Sequence, residues 1–178
     1  MSQSPRIDPS AFIAPTAVVL GDVTLGARAS IWYLSVVRGD MAPITIGADS
    51  NIQDGTIVHV DEGVPCTIGE RVGVGHRVIL HGCTVEHDSL IGMGSVLLNG
   101  VRIGTGSVVA AGAVIPEGMQ VPPGSLVMGV PGRIVRQVDA ALAERIAGTW
   151  RHYVEQSRAH RAGRYPLEGS SAHLAGDR

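Results

Sequence analysis

The chain has 178 residues and a net charge of −2, a balance that gives no reason to expect nucleic acid or an anionic membrane as partner. It contains no lysine, which excludes a P-loop lysine and Schiff-base chemistry, and its two cysteines, Cys66 and Cys83, are too few for a disulfide framework and fit a reducing cytoplasmic setting. With 44% hydrophobic residues, 24 glycines and only six aromatics, the core must be built from Val, Ile, Leu and Ala, in narrow and regular layers.

The opening MSQSPRIDPS has no apolar centre, so no secretory leader is expected, and no run approaches the ~18 apolar residues of a membrane span. From there an internal repeat organises the chain. Aliphatic residues recur every six positions at Ile13, Val19, Leu25, Ile31 and Val37, then at Ile46, Ile52 and Val58, then at Ile68, Val74 and Leu80. After one five-residue step the register resumes at Val85 and runs through Ile91, Leu97, Ile103, Val109, Ile115 and Val121 to Val127. Small or β-branched residues such as Ser35, Ser50, Thr56, Ser95 and Ser107 follow four places later, with Gly, Asp or Asn between, as turns require. A period of six fits neither a helix nor a simple strand. It fits a triangular coil with one hexad per side and the aliphatic residue inside, giving roughly six coils stacked at ~4.8 Å. The repeat resembles that of the hexapeptide-repeat proteins, whose fold is a left-handed parallel β-helix. The hand is implied by the resemblance alone, because parallel crossovers are generally right-handed.

Two interruptions, Met41–Ala42–Pro43 and Asp61–Pro65, read as loops projecting from the triangle. The turn residues Pro122, Pro123, Pro131 and Gly132 close the repeat. A helical pattern then places Leu142, Ile146, Trp150, Tyr153 and Val154 on one face, with Asp139 as N-cap and an end near Ala159. The expected class is mainly β, a hexapeptide-repeat β-helix over residues 1–135, with a C-terminal α-helix and a mobile polar tail over 136–178.

Counting hexads places the histidines of the central stretch. His59 follows Val58 and His81 follows Leu80, one full coil apart, so the two stack on one face, in a column that also holds Arg38. His76 lies two places after Val74, on the adjacent side and above Asp54. Three histidines without a cysteine or serine nucleophile motif point to a metal held by imidazole with an open fourth position. His76 cannot turn the corner of its own prism. It would reach the other two only from a neighbouring subunit, in a ring that closes as a homotrimer with one site per interface. His152, His160 and His173 show no partner spacing and read as solvated.

The segments VVRGD (Val36–Asp40), NIQDGTIVH (Asn51–His59) and GVGHRVILHGC (Gly73–Cys83) resemble the γ-class carbonic anhydrases, over roughly Ile13 to Val135. The resemblance implies metal ligands at His59, His81 and the neighbour's His76, with Zn2+ as the ion and Fe2+ or Co2+ as alternatives. It implies that Gln53 hydrogen-bonds metal-bound water and that Arg38, Asp40 and Asp54 make ionic contacts across the interface. Carbon dioxide would be hydrated by a metal-bound hydroxide, with Glu62 relaying the proton and Tyr153 near the site. Met41 stands where part of the family carries a second glutamate. Two other readings share the fold: a metal-binding relative without anhydrase activity, thioesterase-like or structural, and an acyltransferase that uses one histidine as base.

Overall fold

The computed structural model describes residues 4–167, so His173 and most of the polar tail lie outside the described residues. An aliphatic side chain every six residues can stay inside only if each hexad turns the chain through a third of a circle. The structure does this. It is a left-handed parallel β-helix with three faces, closed by one helix among the described residues. Three aliphatic columns run up the interior. The first stacks Val19, Val37, Val58, Leu80, Leu97 and Ile115. The second stacks Ile7, Leu25, Ile46, Ile68, Val85, Ile103 and Val121. The third stacks Ile13, Ile31, Ile52, Val74, Ile91, Val109 and Val127. Most of these side chains are fully buried, and each contributes roughly 1.5–3 kcal/mol on leaving water. At the corners, buried hydroxyls tie one coil to the next: Ser35 donates to the Gln53 carbonyl at 2.8 Å and Thr56 to the Gly75 carbonyl at 2.8 Å.

Two features of the coil itself depart from the sequence expectation. The solenoid has about seven turns rather than six, because Ile7, six residues before Ile13, already pairs with Leu25. Ile7 is exposed, since its coil has no neighbour on one side. The segment Met41–Pro43 is not a projecting loop. It lies inside one strand, Val36–Ile46, which bends around a corner and pairs with Val18–Leu25 across a register shift between Gly21 and Val23. The extra residues are absorbed as a bulge because the preceding coil bends at the same height. Met41 is exposed there while Ala42 is buried. The second interruption does project, as a tight turn bridged between Asp61 and Val64.

Helix α1, Ala140–Arg161, is capped by Asp139, whose carboxylate accepts the Leu142 N–H at 2.9 Å. It runs two residues past the expected end and lies along the third face, burying Ile146 and Val154. Gly73 makes room for it, since a Cβ there would stand 3.0 Å from Thr149 Cγ2. At the far end of α1, His160 is not solvated as its spacing suggests. It packs among Phe12, Trp32, Tyr33 and Tyr165, with Nδ1 2.9 Å from the Tyr33 hydroxyl. No helix among the described residues is long and apolar enough to cross a membrane.

Candidate metal centre

Strands Ile57–His59 and Ile79–His81 are neighbours in register, which pairs His59 with His81 directly. Their backbones are fixed by the buried Val58 and Leu80, so the two imidazoles must lie side by side on the outer surface. His59 Nδ1 is 3.1 Å from His81 Nε2. Two nitrogens bound to one tetrahedral ion at ~2.0–2.1 Å would stand about 3.3 Å apart, so the pair already has the spacing of a chelate.

The outer ring nitrogens are engaged by oxygen. His59 Nε2 lies 3.3 Å from Asp40 Oδ1, and Asp40 in turn accepts from Arg38 at 2.5 Å. That guanidinium holds the Asp40 carboxyl below its usual range, so it remains a carboxylate facing His59. His81 Nδ1 lies 2.8 Å from the side-chain oxygen of Asn99. A carboxylate or carbonyl accepts only, so each outer nitrogen is the N–H donor and the two inner nitrogens are left with lone pairs. Two lone pairs facing at 3.1 Å repel unless a proton or a metal ion lies between them. The donor set therefore fits a metal ion, with the oxygen partners orienting the rings from behind.

His76 stands on the third face. Val74 pairs with Ile52, which puts His76 above Asp54, and its Nδ1 is 3.0 Å from Asp54 Oδ2. The imidazole is thus oriented as the other two are, and its Nε2 faces the Tyr153 hydroxyl at 3.5 Å. Burial, and secondarily the charge of Asp54, push the Tyr153 phenol up to about 12, so it stays protonated at neutral pH. Gln53 is buried beside His76 and donates to Asn51 at 3.0 Å, leaving its amide oxygen free among the described residues. Within one chain, no three metal-ligating side chains converge among the described residues. His76 and the His59–His81 pair sit on different faces of the prism.

Of the acids on the projecting turn, Glu62 is exposed and has no side-chain hydrogen bond or ion pair among the described residues. Its neighbour Asp61 is the one that turns inward, with Oδ1 3.9 Å from His81 Nε2 and Oδ2 accepting from Asn99 at 2.7 Å. Asp61 and Asn99 were not singled out from sequence. Register offered a signal for Asn99, which stacks one coil above Gly82, the residue after His81. The cysteines face inward instead, fully buried with their sulfurs 4.0 Å apart, so no thiolate joins the histidines.

A cavity of about 620 Å³ opens between α1 and the third face, lined by His76, Gln53, Leu90, Met93, Leu126 and Tyr153. It begins at the His76 site and continues along apolar surface.

Residues 82–117 match the bacterial transferase hexapeptide (six repeats) model. A carbonic anhydrase of Geobacillus kaustophilus is 47% identical over 163 residues, covering 90% of this chain and 88% of that protein. The mitochondrial gamma carbonic anhydrase 2 of Arabidopsis thaliana is 48% identical over 103 residues, and the matched stretch spans only 37% of its length. Among solved structures, a hexapeptide transferase family protein from Anaplasma phagocytophilum superposes with a TM-score of 0.84 at 37% identity, covering 87% of this chain and 92% of that one.

Proposed function

The chain belongs to the γ-class carbonic anhydrase family, and from that membership we propose that it reversibly hydrates carbon dioxide to bicarbonate at metal sites shared between the subunits of a homotrimer. One observation carries this reading. Each of His59, His81 and His76 has an oxygen acceptor behind one ring nitrogen, which leaves the other nitrogen of each available to a metal. Imidazole alone, with no thiolate, suits Zn2+, and Fe2+ or Co2+ are the other candidates. Such an ion, when bound, lowers the pKa of water to about 7 and so supplies hydroxide at neutral pH.

The side chains supply the rest. Arg38 and Asp40 hold the His59 ring, and Asp54 holds the His76 ring that a neighbouring subunit would contribute. Gln53 offers an amide oxygen to a water proton beside His76, and Tyr153, kept protonated, can donate at the same place. Glu62 is the acid on the projecting turn left free to exchange protons with solvent. The Glu62→Ala variant is expected to lose roughly tenfold or more in turnover at low buffer concentration, with unchanged metal content and partial rescue by added imidazole. Turnover equal to wild type at low buffer would remove Glu62 from the relay.

The test is metal content per subunit on protein of measured oligomeric mass, followed on the same sample by stopped-flow carbon dioxide hydration. One metal per subunit in a trimer with fast hydration is expected. A second reading, acyl transfer, draws on the apolar cavity beside His76, whose size suits an acyl chain, and on the transferase named among the similar structures. A trimer that takes up no metal after reconstitution but turns over an acyl thioester would favour it.

A further inference from the structure

We propose that Asn99, oriented by Asp61, is a positioning residue that fixes His81 in its Nδ1–H tautomer and so presents the Nε2 lone pair to the metal. This rests on the ligand reading above. An asparagine amide could face His81 with either its oxygen or its nitrogen, and the two faces would demand opposite tautomers. Asp61 removes the ambiguity. Its carboxylate accepts only, so the amide nitrogen of Asn99 must face it, as it does at 2.7 Å. The amide oxygen is then directed at His81 Nδ1, 2.8 Å away, and that nitrogen must carry the hydrogen. Free imidazole side chains have no such fixed assignment, and here it is set two residues away from the ring.

The backbone is shaped to allow this contact. Gly82 adopts φ +53°, and a Cβ at that position would stand 2.3 Å from the Asn99 side-chain oxygen. Asn99 is itself held by the coils on either side: the Gly118 N–H donates to its carbonyl, and the Gly100 N–H donates to the carbonyl of Gly82. Asp61 comes from the projecting turn 38 residues earlier in the chain. The insertion between Val58 and Ile68 thereby acquires a role, which is to bring a carboxylate to the amide that aims His81.

The experiment has two readouts on the full chain. In metal-free protein, 15N shifts of the His81 ring are expected to report Nδ1 protonated, and Asn99→Leu should abolish that preference. With Zn2+ added in competition with a chromogenic chelator, Asn99→Leu should bind about 10–100-fold more weakly than wild type. The exchanged pair Asn99→Asp with Asp61→Asn again places an acceptor toward His81 and an amide on the turn. It should restore both readouts, which a purely structural role for Asn99 would not produce. Unchanged His81 shifts, or Zn2+ affinity in Asn99→Leu equal to wild type, would overturn the proposal. If wild type shows the Nδ1–H tautomer yet takes up no Zn2+, the orienting pair stands and the metal reading falls.

Discussion

Subunits carrying His81→Ala are expected to assemble at wild-type oligomeric mass, hold almost no metal, and hydrate carbon dioxide at the background rate. The residue sits on an outer strand position, so its loss leaves the buried Leu80 column untouched and folding should survive. What disappears is one of three nitrogens, together with the imidazole that faces His59 Nδ1 at 3.1 Å. The loss should exceed the ~10–100-fold that removal of a supporting residue costs in metal affinity. His76→Ala should behave the same way although it lies on another face. Mixing the two variants makes the sharper measurement. In a cyclic trimer every interface joins the His59–His81 face of one subunit to the His76 face of the next. Random co-assembly of equal amounts makes three quarters of the trimers mixed, each with one intact site of three, so about a quarter of the wild-type metal and activity should return. Zero recovery from co-assembled trimers would place all three ligands' work within one chain and sink the interface reading.

The second large effect is on stability. Gly21 has φ +82°, and a Cβ there would lie 2.3 Å from the Gly39 carbonyl oxygen and 2.5 Å from its carbon. Both atoms are backbone in the bent strand Val36–Ile46, which is held on each side by other rungs and cannot recede. Gly21→Ala therefore combines a left-handed conformation, costing ~1–2 kcal/mol, with a clash that must move a corner shared by two coils. A total of about 3 kcal/mol or more is expected, visible as a melting temperature lower by roughly 6–12 °C. Because Arg38 and Asp40 flank Gly39, the orientation of His59 should suffer as well, and metal affinity should fall with stability. A variant that melts within a degree of wild type would show that the corner tolerates a side chain.

The interior of the fold was legible because it is periodic. A narrow triangular coil admits one inward aliphatic residue per hexad, and the sequence repeats that demand at Val58, Leu80 and Leu97 as at every other rung. Counting the same rungs also stacks His59 on His81 and His76 on Asp54. The exterior was less legible, since the period governs which residues point outward but not what their ends reach. Asp61 and Asn99 meet from different coils, and nothing in their spacing says that one amide is oriented by one carboxylate. His160 looked solvated for the same reason, because its aromatic neighbours come from the first two coils and from beyond the helix end. The bend at Met41–Pro43 was hidden because an insertion in one coil was matched by a kink, without any insertion, in the coil before it.

A stack of parallel rungs is in principle unbounded, since the last rung always offers the next one a row of free amides and carbonyls. Here the strand Arg133–Gln137 lies antiparallel on Ser125–Met128, so the top of the third face meets a chain running the wrong way to continue the coil. At the opposite end, Arg161 at the close of α1 reaches the carbonyls of Pro9 and Ala11 and covers them with charge. The helix and the reversed strand thus act as stoppers against fibre growth. Loosening α1 at that end, for instance by Arg161→Ala, should make the protein more prone to polymerise end to end, without touching a histidine.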